Sequence, residues 1–185
     1  MTDKRLIRTW SGVFFSPLDP HPEDILPEDI AHALSLLCRA NGHFSCFYSV
    51  GQHCLACEGE AAAGGLSREV RLACLLHDAS EAFISDITRP VKLGLPEYRI
   101  IEKRLQDTIY RRFGIDPEDG RIMSEVGRID DAMLYHEFLA LGGCALFDEA
   151  PPKLTEPEFC FRPFEEVERQ YLETLKLLYN NMEDK

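Results

Sequence analysis

The sequence predicts an all-α fold with a small β-hairpin at its N-terminus. Three observations lead there. From Pro27 onward almost every segment repeats its apolar residues at helical spacing. The β-like runs are confined to residues 5–16, on either side of Ser11-Gly12. No repeat or interdomain linker interrupts the chain, so residues 1–185 read as one domain with a core at about 27–147.

The elements follow in order. Residues 17–27, rich in proline and acid, predict a loop. A first helix is expected over Pro27–Ala40, with Pro27 at its first position. Its apolar face is Ile30, Ala33, Leu34, Leu37 and Cys38. A second begins at Ser49, where Gln52 completes a capping box, and stops at Gly64-Gly65. A third follows the N-cap Ser67 and carries Val70, Ala73, Cys74 and His77 on one face. Residues 87–96, with two prolines and a glycine, predict a loop. A fourth helix is expected over Glu97–Phe113, closed by Gly114, and a fifth over roughly Pro117–Phe147. Residues 148–161 hold three prolines and read as a loop. Phe164, Val167, Tyr171, Leu175 and Leu178 mark a final helix.

Composition narrows the function. The chain carries 20 Lys+Arg against 32 Asp+Glu, a net charge of −12. Such a chain repels a nucleic-acid backbone, so nucleic acid is not an expected partner. A small anionic substrate stays open if a metal or local Arg/Lys supplies positive charge. No apolar run approaches the roughly 20 residues of a membrane span, and MTDKRLIRTW has no apolar signal core, so a cytoplasmic location without membrane attachment is expected. The seven cysteines, odd in number, read as reduced buried thiols. Cys54 and Cys57 form a CxxC, but no second pair stands at zinc-ribbon spacing.

Four polar residues occupy positions where apolar ones are expected. His53 and His77 lie on the apolar faces of their helices, Asp78 follows His77, and Asp130 shares a face with Val126, Met133 and Leu134. Taken singly, such a histidine is usually a hydrogen-bonded core residue, and such an aspartate a salt-bridged group. A buried carboxylate needs a cation or donors. Two imidazoles and two carboxylates from three helices form a mixed N/O set suited to one divalent Mn, Fe, Co, Ni or Zn ion. Glu81 falls at i+4 from His77 and i+3 from Asp78, on the same helical side, where a carboxylate serves hydrolysis. Asp131 competes with Asp130, whose face favours it as the final ligand.

The string HDASEAFISDITRPVK (residues 77–92) closely resembles the corresponding segment of bacterial HD-domain 5′-deoxynucleotidases. The string CRANGHFSCFYSVGQH (38–53) and the Trp10-Ser11-Gly12 opening resemble prophage-type HD hydrolases, and the likeness spans roughly residues 8–140. This resemblance to the HD-domain metal-dependent phosphohydrolases implies an HD-type helical bundle. It implies His53, His77, Asp78 and Asp130 as metal ligands and Glu81 as the acid that orients or activates water. Asp78 serves both the metal and the chemistry. Arg39 and Lys92 match phosphate-contacting positions, and Asp86 a further polar position of the pocket. The relatives carry Trp after the pocket arginine where this chain has Ala40, so the resemblance leaves the choice between ribose and 2′-deoxyribose open. The implied activity is hydrolysis of (deoxy)nucleoside 5′-monophosphates. A dNTP triphosphohydrolase, a non-catalytic nucleotide-binding module and a purely structural helical protein are the alternatives. A homodimer is expected, with Val13-Phe14-Phe15 as an apolar patch. His43 is expected at the rim or in a structural role, His136 in a structural role, and His21 and His32 at the surface.

Overall fold

The computed structural model describes residues 4–183 and is helical but for one antiparallel hairpin. β1 (Ile7–Arg8) pairs with β2 (Phe14–Phe15), Ile7 opposite Phe15. Gly12, at φ 95, turns the chain between them in a conformation that side chains resist. The hairpin is fastened to the first helix, because the Ser11 amide and hydroxyl both donate to Asp29 at 2.7 Å. Strand alternation splits the run Val13-Phe14-Phe15. Phe15 is fully buried with its ring 4.3 Å from that of Phe83, and Phe14 faces outward. The three residues therefore do not form the continuous patch expected of them.

α1 (Pro27–Leu36) starts on Pro27 as expected but ends before Ala40. Leu37 turns extended, and Cys38 bridges to Ser49, so residues 37–49 double back instead of prolonging the helix. α2 (Val50–Ala63) begins on the expected Ser49/Gln52 capping box. A Cβ on Gly51 would lie 3.1 Å from Val167 and 3.2 Å from the Leu34 backbone, so glycine here lets α2 approach its neighbours closely. α3 (Arg68–Leu76) is capped by Ser67. α4 (Glu81–Ile84) and α5 (Arg89–Leu93) are short, and α5 stands inside the stretch expected to be a loop. Pro90 lies in its first turn, where no amide donor is required, so proline starts this helix rather than preventing it. α6 (Pro96–Arg112) and α7 (Gly120–Glu137) follow. α7 ends through a π-helical turn at Phe138–Gly142, short of Phe147, and Gly143 at φ 68 stops it. α8 (Phe164–Glu183) closes the bundle.

α2 packs on α1, α3, α7 and α8 and is the central helix. The main buried cluster joins Leu34, Val50, Leu75, Ile109 and Met133 with Phe15 of the hairpin and Tyr171 of α8, so it reaches beyond residues 27–147. The Tyr171 hydroxyl donates to the Leu75 carbonyl at 2.7 Å, which satisfies a buried phenol. Cys54, Cys57 and Cys74 are buried as expected; Cys38 and Cys46 are half-buried, and Cys144 and Cys160 are exposed in connecting segments. His32 is not a plain surface residue: it stacks on Trp10 at 4.1 Å and meets Glu168 at 3.0 Å. His43 is exposed, and His136 meets the Pro151 carbonyl at 2.9 Å. No helix among the described residues is long and apolar enough to cross a membrane.

Candidate metal centre

His53 stands on the central helix and is fully buried. His77 does not lie within a helix: it caps the C-terminus of α3. Between Leu76 and Glu81 the backbone tightens to i+3 hydrogen bonds, Ala79 N to Leu76 O and Glu81 N to Asp78 O. Gln106 of α6 clips this break, accepting from the Ser80 amide at 3.0 Å and donating to the Leu76 carbonyl at 2.7 Å. The break lets the adjacent His77 and Asp78 face one point, with His77 Nε2 3.4 Å from Asp78 Oδ2.

That point is shared. His53 Nε2 lies 3.1 Å from His77 Nε2 and 3.1 Å from Asp130 Oδ1. Asp130 Oδ1 is 3.6 Å from His77 Nε2, and Asp78 Oδ2 is 3.8 Å from His53 Nε2. Bonds of about 2.0–2.2 Å to a common ion would set neighbouring donors at about these separations. His77 Nδ1 meets the Cys74 carbonyl at 2.7 Å and must donate to it. His53 Nδ1 meets Glu137 Oε1 at 2.7 Å. Both rings therefore turn their Nε2 lone pairs toward each other, an arrangement that a cation or a proton relieves. Thiols flank the same place: Cys57 Sγ is 3.6 Å from His53 Nε2, and the donor atoms of Cys54, His77 and Asp78 lie within 4.8 Å of one another. These clusters can hold a metal ion, and the mixed imidazole and carboxylate donors fit a divalent transition metal. Asp131 turns away, half exposed, with its carboxylate 3.7 Å from Arg89.

A cleft of about 490 Å³ opens beside the cluster. Arg39, Asp78, Glu81, Asp86, Lys92 and Asp130 line one part, and Leu134, Phe138, Leu146 and Phe147 another. Arg39 is buried and reaches its place through a tight reversal in which Ala40 and Asn41 take φ 52 and φ 50. Its Nε donates to Glu137 Oε2 at 2.9 Å and its Nη1 to Asp78 Oδ2 at 3.3 Å. The backbone amide of Ala40 faces the Asp86 carboxylate. Ser85, at φ 74, turns the chain out of α4 and toward that aspartate. Lys92 bridges Glu81 Oε1, at 3.3 Å, and Glu102.

Glu81 is buried, and its Oε2 has no hydrogen-bond partner among the described residues. Burial, with Asp78 and Asp86 nearby, pushes its carboxyl well above the usual carboxylate range, against the pull of Lys92 and Arg39. Burial opposes charge on Asp130 as well, but hydrogen bonds from His53 and His77 hold that carboxyl well below the usual range. Two neighbouring acids are thus driven in opposite directions, the pattern that separates a proton carrier from a fixed anion.

All eight residues expected from the sequence meet at this cleft or directly behind it. Glu137, Tyr48, Gln106 and Glu102 were not expected there. Glu137 carried a readable signal: it lies seven residues after Asp130, two turns along the same face of α7.

No family model matches the chain. It is 38% identical over 111 residues to the uncharacterized protein YfdR of Escherichia coli (strain K12), covering 60% of each chain. It is 40% identical over 113 residues to an uncharacterized protein of Rhodobacter capsulatus, covering 58% of each. The chain thus matches about three fifths of the length of these curated relatives.

Proposed function

We propose that the chain is a metal-dependent phosphohydrolase of the HD-domain type, acting on the phosphomonoester of nucleoside 5′-monophosphates. One observation carries the reading: four metal-type donors from three parts of the chain converge beside a buried glutamate with an unpartnered oxygen, at one cleft. The resemblance of residues 77–92 to HD-domain 5′-deoxynucleotidases also supports it.

His53, His77, Asp78 and Asp130 would hold a Mn, Fe, Co, Ni or Zn ion, which supplies a Lewis acid and acidifies bound water. Glu81 takes the proton from the attacking water at its unpartnered Oε2, and its raised pKa makes it a stronger base than an ordinary carboxylate. Arg39, whose Nη2 takes no part in its bonds to Glu137 and Asp78, and Lys92 offset the charge on the phosphoryl oxygens. Asp86 holds the Arg39–Ala40 turn through the Ala40 amide. The apolar wall of Leu134, Phe138, Leu146 and Phe147 receives the base, and the cleft volume suits a ligand of nucleotide size.

The test is a panel of nucleoside mono-, di- and triphosphates with each of the five metals, read as release of phosphate, pyrophosphate or tripolyphosphate. Phosphate from monophosphates supports the reading. Tripolyphosphate from dNTPs would move it to the triphosphohydrolase. Tight nucleotide binding without turnover under any metal would make the chain a binding module.

A further inference from the structure

Glu137 is a fully buried acid that neither touches the cleft nor belongs to the donor set. Its two oxygens are divided between two elements of the site. Oε1 accepts a hydrogen bond from His53 Nδ1 at 2.7 Å, and Oε2 accepts one from Arg39 Nε at 2.9 Å. The buried Tyr48 phenol also faces it. Arg39 in turn donates to Asp78 Oδ2, so His53, Glu137, Arg39 and Asp78 form a chain that leaves the donor cluster at one ligand and returns at another. A buried carboxylate is costly unless donors surround it, and here the donors are a candidate metal ligand and a candidate phosphate contact. No packing need explains a charge at this place, since a neutral side chain of the same shape would fill it.

We infer that Glu137 is the positioning residue of the centre, fixing the His53 tautomer for the metal and the Arg39 guanidinium for the phosphate with one carboxylate. The inference rests on the phosphohydrolase reading for the Arg39 half and on metal binding alone for the His53 half. As an acceptor to both Nδ1–H and Nε–H, the carboxylate keeps the one proton of the neutral His53 ring on Nδ1, which leaves Nε2 to a metal, and it aims Arg39 along the cleft. An amide cannot do both. In Glu137→Gln one oxygen still accepts, but the NH₂ group meets either the Nδ1–H of His53 or the Nε–H of Arg39. The first case drives the His53 proton to Nε2, where it blocks the metal; the second releases Arg39.

The experiment titrates Co²⁺ into the metal-free full chain by calorimetry, then follows hydrolysis at saturating Co²⁺. Glu137→Gln is expected to weaken Co²⁺ binding by about 10–100-fold, the usual effect of removing the partner of a metal-ligating histidine. Its KM for nucleotide is expected to rise at matched metal occupancy, and circular dichroism of the metal-free variant should match wild type. Arg39→Met retains the His53–Glu137 bond and removes only the donor to Asp78 Oδ2, so it should lose clearly less Co²⁺ affinity than Glu137→Gln. The double variant Arg39→Met/Glu137→Met removes both buried charges, which protects the fold, and leaves His53 Nδ1 no acceptor at position 137, so it should lose Co²⁺ affinity at least as far as Glu137→Gln does. Wild-type affinity in the double variant overturns the inference. So does an Arg39→Met loss as large as that of Glu137→Gln, which would make the effect one of buried charge. A wild type that binds Co²⁺ but hydrolyses no nucleotide would overturn the phosphohydrolase reading and the Arg39 half alone, leaving the tautomer result to decide the rest.

Discussion

Glu81 and Asp130 lie on one cleft yet are driven apart in acidity, and in the proposed phosphohydrolase they take different work, Glu81 as proton carrier and Asp130 as ligand. A proton carrier contributes to the rate and little to the hold on the metal. Glu81→Ala and Glu81→Gln are therefore expected to keep stoichiometric metal while kcat falls by about 10²–10⁴-fold, measured at matched metal occupancy. Activity surviving both changes would pass the role to Asp86. Asp130→Ala should lose the metal and Asp131→Ala should keep it, as elemental analysis of the two purified variants will tell. Neighbouring residues on a helix point about 100° apart, and only Asp130 faces the imidazoles. These residues were legible in the sequence because a polar group on an apolar face breaks a pattern. Glu137 breaks the same pattern but stands alone in its turn, beside His136. Nothing local tells which carboxylate will meet a histidine from position 53, a pairing that only the packing of α2 against α7 creates.

At the scale of elements, caps and glycine stops were readable, and breaks were not. Ser49, Ser67 and Gly64 mark their helix ends where expected. The interruption between α3 and α4 is invisible because residues 76–81 contain no breaker; Gln106, 30 residues beyond Leu76, satisfies the freed backbone groups. The segment 148–161 shows how an irregular stretch is held. Glu60 of α2 accepts from the Leu154 and Thr155 amides at 2.6 and 2.9 Å and from the Thr155 hydroxyl at 2.6 Å. Burial opposes its charge, but these donors hold its carboxyl below the usual range. A depressed folded pKa stabilises the protein above the unfolded value, near 4.5, and the contribution fades as pH falls through the folded value. Glu60→Gln should thus cost about 1.5–3 kcal/mol at pH 7 in urea unfolding. The variant and wild-type stabilities should converge in acid. A cost that stayed constant below pH 4 would mean packing, not charge, carries the contact.

At the scale of the whole molecule, the centre ties the end of α3, the central α2 and the middle of α7 together, and Arg39 draws in the 37–49 connector. Metal binding should therefore report on global stability, with a pH dependence of definite sign. In the metal-free protein burial opposes charge on both imidazoles. Arg39 opposes it too at His53, but Cys57, Glu137 and Asp130 around His53, and Asp78, Cys54 and Asp130 around His77, outweigh this and hold both above the usual histidine range. A raised folded pKa stabilises the fold below the unfolded value, near 6.5, and that contribution is lost as pH rises through the folded value. A divalent metal needs the neutral imidazoles, so protons compete with it in acid and release it less as pH rises. The two effects run in opposite directions: rising pH weakens the metal-free fold and strengthens metal binding. The gain in Tm on adding Mn²⁺ should accordingly widen from pH 6 to pH 8. With Mn²⁺ at about 100 times its Kd, binding contributes about 2.7 kcal/mol. For a chain of 185 residues this is roughly 5–11 °C, reversed by a chelator. His77→Ala should abolish the gain at every pH. A gain in wild type that shrank toward pH 8 would show that the imidazoles are not the groups the metal competes for.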